Sequence, residues 1–537
     1  MTQFNPILPL DTYIPDGEPH VFGDRIYLFG SHDKEGGDRY CQEGNYMGWS
    51  APLDHPTEWT SHGIIYEPSQ DSEYMAGDNE EMYAPDVMQG VDGRYYLYYC
   101  FGGTAGHSRI GVAVCDSPAG KYEYYGNVQT PDRSVCSDYL MGDPGVINDD
   151  GVPRLVCGWS LSMVAAAAHG RGQGTTNARQ EVHWKDQHDT PAPQSPQPGD
   201  PDMNLKMAPI YQMLFHRSWD QVKDLEYPLM GANAYTLEDD MITVKEGPFR
   251  ILPGQFDTPK DSEFFGHAFY EAASIRKING RYYFIYSSEN SNELCYATSQ
   301  NYNGPYHFGG TVISNGDVGY HGRSGGNRTN QTANDHGSLA CIKGRWYIFH
   351  HRQTHSGTFS RQACAELVRI AEDGSIAQVE CTSMGFHRGA LETKGSYPAI
   401  ISCVLTNGAM PHITNTLIQE DIPFITNDGE ERYITGVKNG VTVGYKYFAF
   451  DGKTKITLTY RGAGEGSIHA YLIDRGQILI AESQVPEKAS YQAEAKICPH
   501  KTWDTAAFSL DAIGEYALYL TFEGENSIEL KDMAFEN

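Results

Sequence analysis

The chain contains Asn279-Gly-Arg-Tyr-Tyr-Phe-Ile-Tyr286, a two-residue turn signal followed by a strand of alternating aromatic and aliphatic residues. An Asn-Gly pair directly before such a strand is typical of the tight turn in a β-hairpin. The same pattern returns four more times, with its turn glycine at Gly23, Gly93, Gly151 and Gly344. A hairpin that recurs in this way indicates radial repetition, so the pattern predicts a five-bladed β-propeller.

The last part of the chain lacks this repeat. From about residue 395 onward the sequence has alternating strands joined by glycine-rich turns, as in residues 441–450 and 516–522. Short strands in that pattern predict a β-sandwich of the jelly-roll type. A chain of 537 residues also exceeds what one hydrophobic core usually supports. We therefore predict an all-β protein with a propeller over residues 1–394 and a sandwich over residues 395–537.

The interval between Gly151 and Gly280 is about twice the other intervals, and we attribute part of the excess to an insertion at about residues 160–203. The insertion is rich in alanine, glycine and proline, which is typical of a loop. The segment after it could complete the third blade, while a sixth, degenerate blade is the alternative. Two strand-like runs, residues 208–215 and 241–244, support completion of the third blade. Two others, residues 366–370 and 377–380, are expected to be the last strands of the fifth blade.

The chain is acidic, with 40 Lys and Arg against 69 Asp and Glu and a formal net charge of −29. Such a surface repels nucleic acid and anionic membranes, and it favours a small neutral or cationic partner. No apolar stretch has the length of about 18 residues that a membrane span needs. The eleven cysteines are scattered and the N-terminal residues lack a signal-peptide pattern, so we expect buried thiols in a cytoplasmic protein.

One polar residue precedes the hairpin of each blade, at nearly the same distance from the turn glycine. These residues are Asp16, Asp86, Asp143, Glu271 and His336. A shared register would bring all five to one mouth of the axial channel, although each acid alone could simply cap a turn. Converging carboxylates repel one another, so one can stay ionised as a base while another keeps its proton as an acid. Such a pair, with room for a water, can hydrolyse a glycoside with inversion.

His336 has two interpretations. It could be a hydrogen-bonded core residue, or it could hold a metal directly or through water. One histidine among oxygen groups offers too few ligands for zinc. We therefore expect a mostly hydrated hard cation such as calcium on the axis near His336, and no organic cofactor.

These residues resemble glycoside hydrolase family 43, whose members are five-bladed propeller enzymes acting on arabinose- and xylose-containing plant polysaccharides. The resemblance covers about residues 5–385. It rests on elements that occur in the family's order: Asn5-Pro-Ile-Leu-Pro9, Ala84-Pro-Asp86, Asp143-Pro144, Glu271 and His336. The resemblance implies that Asp16 is the general base that activates water. It also implies that Glu271 is the general acid and that Asp143 raises the pKa of this acid and orients it.

The resemblance implies further roles around this trio. Arg361 is similar to the arginine that holds the sugar hydroxyls, and His336 is similar to the axial histidine near the bound metal. Tyr83 stands where the family has a tryptophan, so it is expected to form the floor of the sugar site with Asp86 beside it.

The C-terminal segment resembles a family-6-like carbohydrate-binding module, most clearly at Gly444-Tyr-Lys-Tyr-Phe448. Aromatic residues of this segment, such as Tyr445, Tyr447 and Trp503, could stack on a sugar or could belong to the core.

We therefore expect an inverting, exo-acting α-L-arabinofuranosidase that releases terminal L-arabinofuranose from small arabino-oligosaccharides. A β-1,4-xylosidase, or an enzyme with both activities, is the alternative within this class. A non-catalytic sugar-binding propeller is the alternative outside it, and a retaining enzyme would contradict the role given to Asp16. The insertion at 160–203 could wall the pocket or could be a plain loop.

Overall fold

The computed structural model describes residues 4–71, 81–101, 109–162, 203–413 and 421–536. Within these residues the strands β1–β29 form five small antiparallel sheets and one ten-stranded sheet, accompanied by the helices α1–α3. No helix in the described part of the chain has the length and apolar character needed to cross a membrane. The predicted all-β class is confirmed.

Each small sheet is one blade, in which strands that follow one another in the chain are hydrogen-bonded neighbours. The blades are β1–β4 (Glu18–Phe22, Arg25–Phe29, Tyr46–Pro52, Thr60–Tyr66), β5–β8 (Met82–Gln89, Tyr95–Phe101, Gly111–Cys115, Glu123–Asn127), β9–β12 (Gly145–Asp149, Val152–Trp159, Gly231–Leu237, Val244–Pro253), β13–β16 (Phe269–Ile278, Arg281–Ser288, Glu293–Ser299, His307–Ser314) and β17–β19 (Leu339–Ile342, Arg345–Gln353, Arg361–Val368). The predicted five-bladed propeller is therefore confirmed.

The turn pairs that reveal the repeat adopt left-handed backbone conformations. Asn279 and Gly280, which join β13 to β14, have φ angles of 52° and 78°. The same combination occurs at the turns that end with Gly151 and Gly344. Two consecutive positive φ values give a turn whose twist matches that of the flanking strands. Each such pair therefore fixes the register of its blade's first hairpin.

The third blade is completed by β11 and β12, which follow the insertion. Residues 208–215, expected as a strand, instead belong to helix α1 (Met203–Phe215), which is followed by the short helix α2 (Trp219–Val222). The α1 side chains that are buried recur every fourth residue, at 203, 207 and 211. Residues at that spacing share one face of a helix, so packing on this face decides the conformation. Residues 163–202, most of the predicted insertion, lie outside the described residues.

The fifth blade is closed by the beginning of the chain. Residues 377–380, expected as a last strand, form none. Instead, the amide of Ile7 donates to the carbonyl of Ala363 on β19 at 2.9 Å. The Asn5 side chain accepts from the amide of Ala365 at 3.0 Å and donates to its carbonyl at 3.1 Å. The N-terminal segment thus takes the place beside β19 that a further strand would occupy.

The C-terminal strands form one ten-stranded sheet. They are β20 (Leu391–Glu392), β21 (Gly395–Pro398), β22 (Val404–Thr406), β23 (Phe424–Asn427), β24 (Arg432–Val437), β25 (Thr442–Gly462), β26 (Glu465–Asp474), β27 (Tyr491–Ile497), β28 (His500–Glu525) and β29 (Ile528–Glu536), with helix α3 (Val485–Lys488) between β26 and β27.

The long strand β25 bends this sheet around one core. Phe448 on β25 and Phe535 on β29 have ring centroids 4.7 Å apart. In the backbone pairing of β25 with β29, however, Phe535 lies opposite Ile456, which follows Phe448 by eight residues along β25. The two halves of β25 therefore face each other across a shared cluster of buried apolar side chains. This layered arrangement agrees with the predicted sandwich.

The two domains share a second cluster of buried apolar side chains, in which Ile348 of the propeller packs with Tyr447 and Tyr519 of the C-terminal sheet. Beside this cluster, the buried Lys446 ammonium lies 2.9 Å from a carboxylate oxygen of Asp317. Because apolar burial and a buried ion pair both cross the interface, the domains pack as one body.

Candidate active site

Asp16, Asp143 and Glu271 converge around His336. The Oδ1 atom of Asp16 and the Oδ2 atom of Asp143 each lie 4.0 Å from His336 Nδ1, so these oxygens cannot be further apart than twice that distance. The amide of Ala272 donates to Asp143 Oδ2 at 2.8 Å, which places this carboxylate beside Glu271. The first, third, fourth and fifth blades thus bring one polar side chain each to a common pocket. We call this pocket, formed around Asp16, Asp143, Glu271 and His336, the pit.

The backbone of the two aspartates is unusual. Asp16 and Asp143 stand just before β1 and β9 and have φ angles of 57° and 46°. Left-handed conformations are uncommon outside glycine and concentrate at functional sites, where surrounding structure holds them. Here the amide of Asp16 donates to His351 Nδ1 at 3.2 Å. This bond fixes the direction in which the Asp16 side chain leaves the chain.

Asp16 is held in its ionised form. Burial alone would raise its pKa, but the Arg361 guanidinium, with His351 and His336, outweighs burial and lowers the pKa below the usual range of a carboxyl. The Arg361 Nη1 atom donates to Asp16 Oδ1 at 2.8 Å. Asp33 receives two further bonds, from Arg361 Nε at 2.8 Å and Nη2 at 3.0 Å. Most of the guanidinium that was expected to bind sugar hydroxyls is therefore engaged by carboxylates.

Glu271 is held in its protonated form. Burial, together with the charges of Asp143 and Asp16, raises the pKa of Glu271 to about 8. Its Oε2 atom accepts from the indole of Trp159 at 3.3 Å, and Asn334 Nδ2 lies 3.5 Å from Oε1. Two carboxyl groups in one pit thus have opposite protonation states at neutral pH, which is the arrangement that acid–base catalysis needs.

His336 supplies positive charge to the pit. Although burial lowers its pKa, the carboxylates of Glu18, Asp143 and Asp16 together raise the pKa to about 9. Burial raises the pKa of Asp143 above its usual range, while the positive charge of His336 opposes that shift. The imidazolium therefore lies between carboxylates that would otherwise repel one another.

Glu18, two residues after Asp16, lies on the other side of His336. Its Oε2 atom accepts from Arg276 Nη2 at 2.6 Å and from the Ser274 hydroxyl at 3.0 Å. Its Oε1 atom is buried without a hydrogen-bond partner and lies 3.7 Å from His336 Nε2. An unsatisfied buried carboxylate oxygen costs free energy, so this position suits a water or a cation.

Two groups of side chains bring atoms that can ligate a metal within reach of one another among the described residues. One consists of Glu18, His20 and Asp86, close to His336 on the axis. The other consists of His267, Glu293 and Cys295 in the fourth blade, where His267 Nδ1 already pairs with Glu293 Oε1 at 2.7 Å. Three hydroxyl and amide groups also donate to Glu293, from Ser288, Asn290 and Thr311, so the second group is satisfied without a metal.

The structure does not support direct sugar contact by Asp86. The side chain is fully buried, and its oxygens accept from the amides of Val87 and Val146 at 2.7 Å each and contact His20 Nε2 at 2.5 Å. Asp86 therefore ties the second blade to the first and third. Tyr83 is half-buried, and burial raises the pKa of its hydroxyl well above the usual value.

Sequence reasoning missed several residues of the pit: Asp33, Trp159, Arg276, Asn334 and His351. Charged residues inside or directly after an apolar strand were the available signal for Arg276 in β13 and for Asp33 after β2. Trp159 ends β10 and carried no signal that distinguished it from a core aromatic residue.

The aromatic residues proposed to stack on a sugar in the C-terminal domain do not form an open platform. Tyr445 and Tyr447 are buried in the sheet domain. The ring of Trp503 is covered by the Arg461 guanidinium, 4.2 Å from its centroid, and by the Lys531 ammonium at 5.2 Å. Its indole nitrogen donates to Glu431 at 2.5 Å. These three residues therefore stabilise the domain, and the likeness to a carbohydrate-binding module has no support from them.

Comparisons with known proteins place this site in context. The sequence matches the family described as glycosyl hydrolases family 43 over residues 5–197 and 175–376. It is 35% identical to a xylosidase/arabinosidase of Thermoclostridium stercorarium, over 98% of both chains. It is 27% identical to xylosidase/arabinosidase 43A of Humicola insolens, over 63% of this chain and 88% of that one. Among solved structures, a family 43 enzyme of Xanthomonas citri complexed with xylose is 21% identical with a TM-score of 0.47, over 70% of this chain and 93% of that one.

Proposed function

Because this chain belongs to glycosyl hydrolase family 43 and is a glycoside hydrolase, we propose that it is an inverting, exo-acting pentosidase that releases terminal L-arabinofuranose from small oligosaccharides. One observation carries the proposal: a single pit holds Asp16 ionised and Glu271 protonated. Terminal β-xylosyl residues are the second candidate substrate, alone or in addition. The name of the Thermoclostridium stercorarium relative, xylosidase/arabinosidase, favours that candidate.

In the proposed reaction Asp16 is the general base and Glu271 the general acid. Asp16 takes a proton from a water whose oxygen attacks the anomeric carbon on the face opposite the leaving group. Glu271 gives its proton to the glycosidic oxygen as the bond to the anomeric carbon breaks. The product sugar therefore has inverted configuration, and solvent restores both protonation states.

Neighbouring residues prepare these two groups. Asp143 keeps the pKa of Glu271 high through its negative charge, and the amide bond from Ala272 keeps it beside the acid. Arg361, itself held by Asp33, keeps Asp16 ionised, and we propose that the second hydrogen on its Nη1 atom binds a sugar hydroxyl. We propose that Tyr83 lies beneath the bound sugar, as aromatic rings commonly do.

We propose that a calcium ion fits near His336. The buried, unpartnered Glu18 Oε1 atom faces His336 Nε2, and calcium prefers oxygen ligands with several waters. When bound, the ion would supply positive charge to the carboxylates of the pit and fix the orientation of His336. The positive charge of the ion would then replace the positive charge that protonated His336 provides to these carboxylates.

Leaving-group dependence tests the two roles separately. Glu271→Gln should lower kcat on an arabino- or xylo-disaccharide by about 10²–10⁴-fold but should have a much smaller effect on a nitrophenyl pentoside, because nitrophenol leaves without a proton. Asp16→Asn should lower kcat on both substrates. Glu263→Gln, an exposed change in the same blade, is the matched control.

The anomer released, read by NMR during early turnover, tests the stereochemistry. An inverted product is expected, whereas retention would contradict the role of Asp16. If the unmodified protein turns over no pentoside but binds oligosaccharides, the non-catalytic propeller is the correct interpretation.

A further inference from the structure

The C-terminal domain contacts the propeller beside the active site through Arg432, the first residue of β24. The Arg432 guanidinium forms a two-point ion pair with the carboxylate of Glu35, with Nη2–Oε2 at 2.7 Å and Nε–Oε1 at 3.1 Å. Glu35 also accepts the Tyr13 hydroxyl at 3.1 Å and lies 3.4 Å from His355 Nε2. Two-point pairs between arginine and a carboxylate fix relative orientation as well as distance. Glu35 is therefore held from both domains.

The loop of residues 33–36, which carries Glu35, begins with Asp33, the partner of Arg361. The hydroxyl of Ser360, the residue before Arg361, donates to the carbonyl of residue 34 at 3.0 Å and accepts an amide of the same loop at 2.9 Å. The loop is thus joined to the chain directly before Arg361.

A second contact reaches the same place from β23, the hairpin partner of β24. The amide of Ile425 donates to the carbonyl of Thr354 at 2.9 Å, and the amide of Thr354 donates to the carbonyl of Ser360 at 3.2 Å. The β23–β24 hairpin therefore holds both the 33–36 loop, whose Asp33 binds Arg361, and the 354–360 loop, which leads into Arg361.

Arg361 connects these loops to Asp16 by direct contact. Asp33 binds the guanidinium of Arg361 at two atoms, and the same guanidinium binds Asp16 Oδ1 at 2.8 Å. A displacement of about 1 Å in such a support can cost about 100-fold in rate, since the reacting atoms must meet in a narrow geometry. The orientation of Asp16 thus depends on a loop that the C-terminal domain holds in place.

From these contacts we propose that Arg432 and Glu35 are positioning residues for the reaction, and that the C-terminal domain acts as a structural part of the active site. The inference rests on the role proposed above for Asp16. The domain fixes the 33–36 loop, the loop fixes Arg361, and Arg361 orients Asp16.

Arg432→Gln and Glu35→Gln test the proposal. Each should lower kcat on a nitrophenyl pentoside by about 10- to 100-fold while KM changes much less. The double variant should be no worse than the poorer single variant, because both changes break one link. Arg432→Lys keeps the charge but only one contact point, so it should recover part of kcat.

The control is Lys496→Gln, which removes a cation of the same domain that pairs with Glu494 on β27, at the opposite edge of the sheet from β23 and β24. Thermal unfolding of every variant separates positioning from global stability. Hydrogen exchange of residues 31–45 provides a readout independent of turnover. Arg432→Gln should accelerate exchange in this segment, whereas Lys496→Gln should not.

Unchanged kcat in Arg432→Gln, additive losses in the double variant, or equal losses in Lys496→Gln would overturn the proposal. If the unmodified protein has no pentosidase activity, the proposed function fails. The exchange experiment still decides whether Arg432 fixes the 33–36 loop.

Discussion

At the residue scale, the pit separates two carboxyl groups of similar chemistry by their surroundings. Asp16 has the Arg361 guanidinium at 2.8 Å, and its pKa is lowered despite burial. Glu271 lies beside Asp143, and burial together with like charge outweighs the positive charge of His336 and raises the pKa of Glu271 to about 8. The difference follows from position rather than from the choice between aspartate and glutamate.

The pH dependence of kcat/KM should follow these states. Activity requires protonated Glu271, so kcat/KM should fall as pH rises through about 8. On the acid side, activity should persist to pH values below the usual titration range of an aspartate, because the pKa of Asp16 is lowered. A profile from pH 3 to 10 with a non-ionising substrate measures both limits.

Asp143→Asn should move the alkaline limit of this profile to lower pH. The substitution removes the negative charge that, after burial, contributes most to the raised pKa of Glu271. Asp220→Asn, at an exposed position, should leave the profile unchanged. An alkaline limit that does not move in Asp143→Asn would mean that burial alone sets the pKa of the acid.

At the element scale, buried polar side chains join neighbouring blades near the axis, in addition to a few backbone bridges such as that between Gly17 and Gly337. Asp86 on β5 accepts the amide of Val146 on β9 and contacts His20 on β1. At the ring closure, the fully buried side chain of Asn5 forms hydrogen bonds with Ala365 and Thr382 and so joins the N-terminal segment to the fifth blade. Neighbouring blades therefore depend on a few buried polar groups whose partners must all be present.

Asp86→Ala should destabilise the protein without weakening substrate binding. Loss of a buried carboxylate that accepts two amides leaves those donors unpaired, at a cost of about 2–4 kcal/mol. Urea unfolding and KM measured on the same preparation check both parts. A large rise in KM with unchanged stability would instead indicate direct sugar contact.

Asn5→Ala should open the ring closure, because three hydrogen bonds to β19 of the fifth blade and one to Thr382 are lost. We expect a loss of about 2–4 kcal/mol in the free energy of unfolding. The comparison is Asn301→Ala at an exposed turn, which should change stability by less than about 0.5 kcal/mol. Equal midpoints of denaturation for the two variants would show that the N-terminal segment does not close the ring.

At the scale of the whole molecule, the propeller and the C-terminal sheet share apolar packing and buried charge. Lys446 of the sheet domain lies 2.9 Å from both Asp317 and Glu380 of the preceding segment, with 5% of its side chain exposed. Because these charges are satisfied only across the interface, neither domain presents a complete surface alone. The domains should therefore unfold together.

Calorimetry should detect one unfolding transition, and Lys446→Met should shift all of it to lower temperature. The variant leaves the buried carboxylate of Asp317 and the half-buried carboxylate of Glu380 without this cation, at a cost of about 3–5 kcal/mol. Lys455→Met on the same strand is the control, since its exposed pair with Glu536 contributes about 0–1 kcal/mol. Two separable transitions, of which only one moves, would contradict joint unfolding.

The sequence by itself determined the blades and their order, because turn pairs such as Asn279–Gly280 and strand alternation act between residues a few positions apart. It also identified Asp16, Asp143 and Glu271, three of the acids that the structure brings together. The strand expected at residues 208–215 is wrong, because buried side chains at every fourth residue pack one face of a helix there, whatever the strand-like composition.

Only the tertiary structure decided what each charged group pairs with. Arg361 is 328 residues from Asp33 and 345 from Asp16 in the chain, and no local pattern predicts either contact. The same holds for the burial of Asp86 and for the ion pair between Arg432 and Glu35, 397 residues apart. Protonation states depend on burial and on the nearest charges in space, and the folded chain alone sets both.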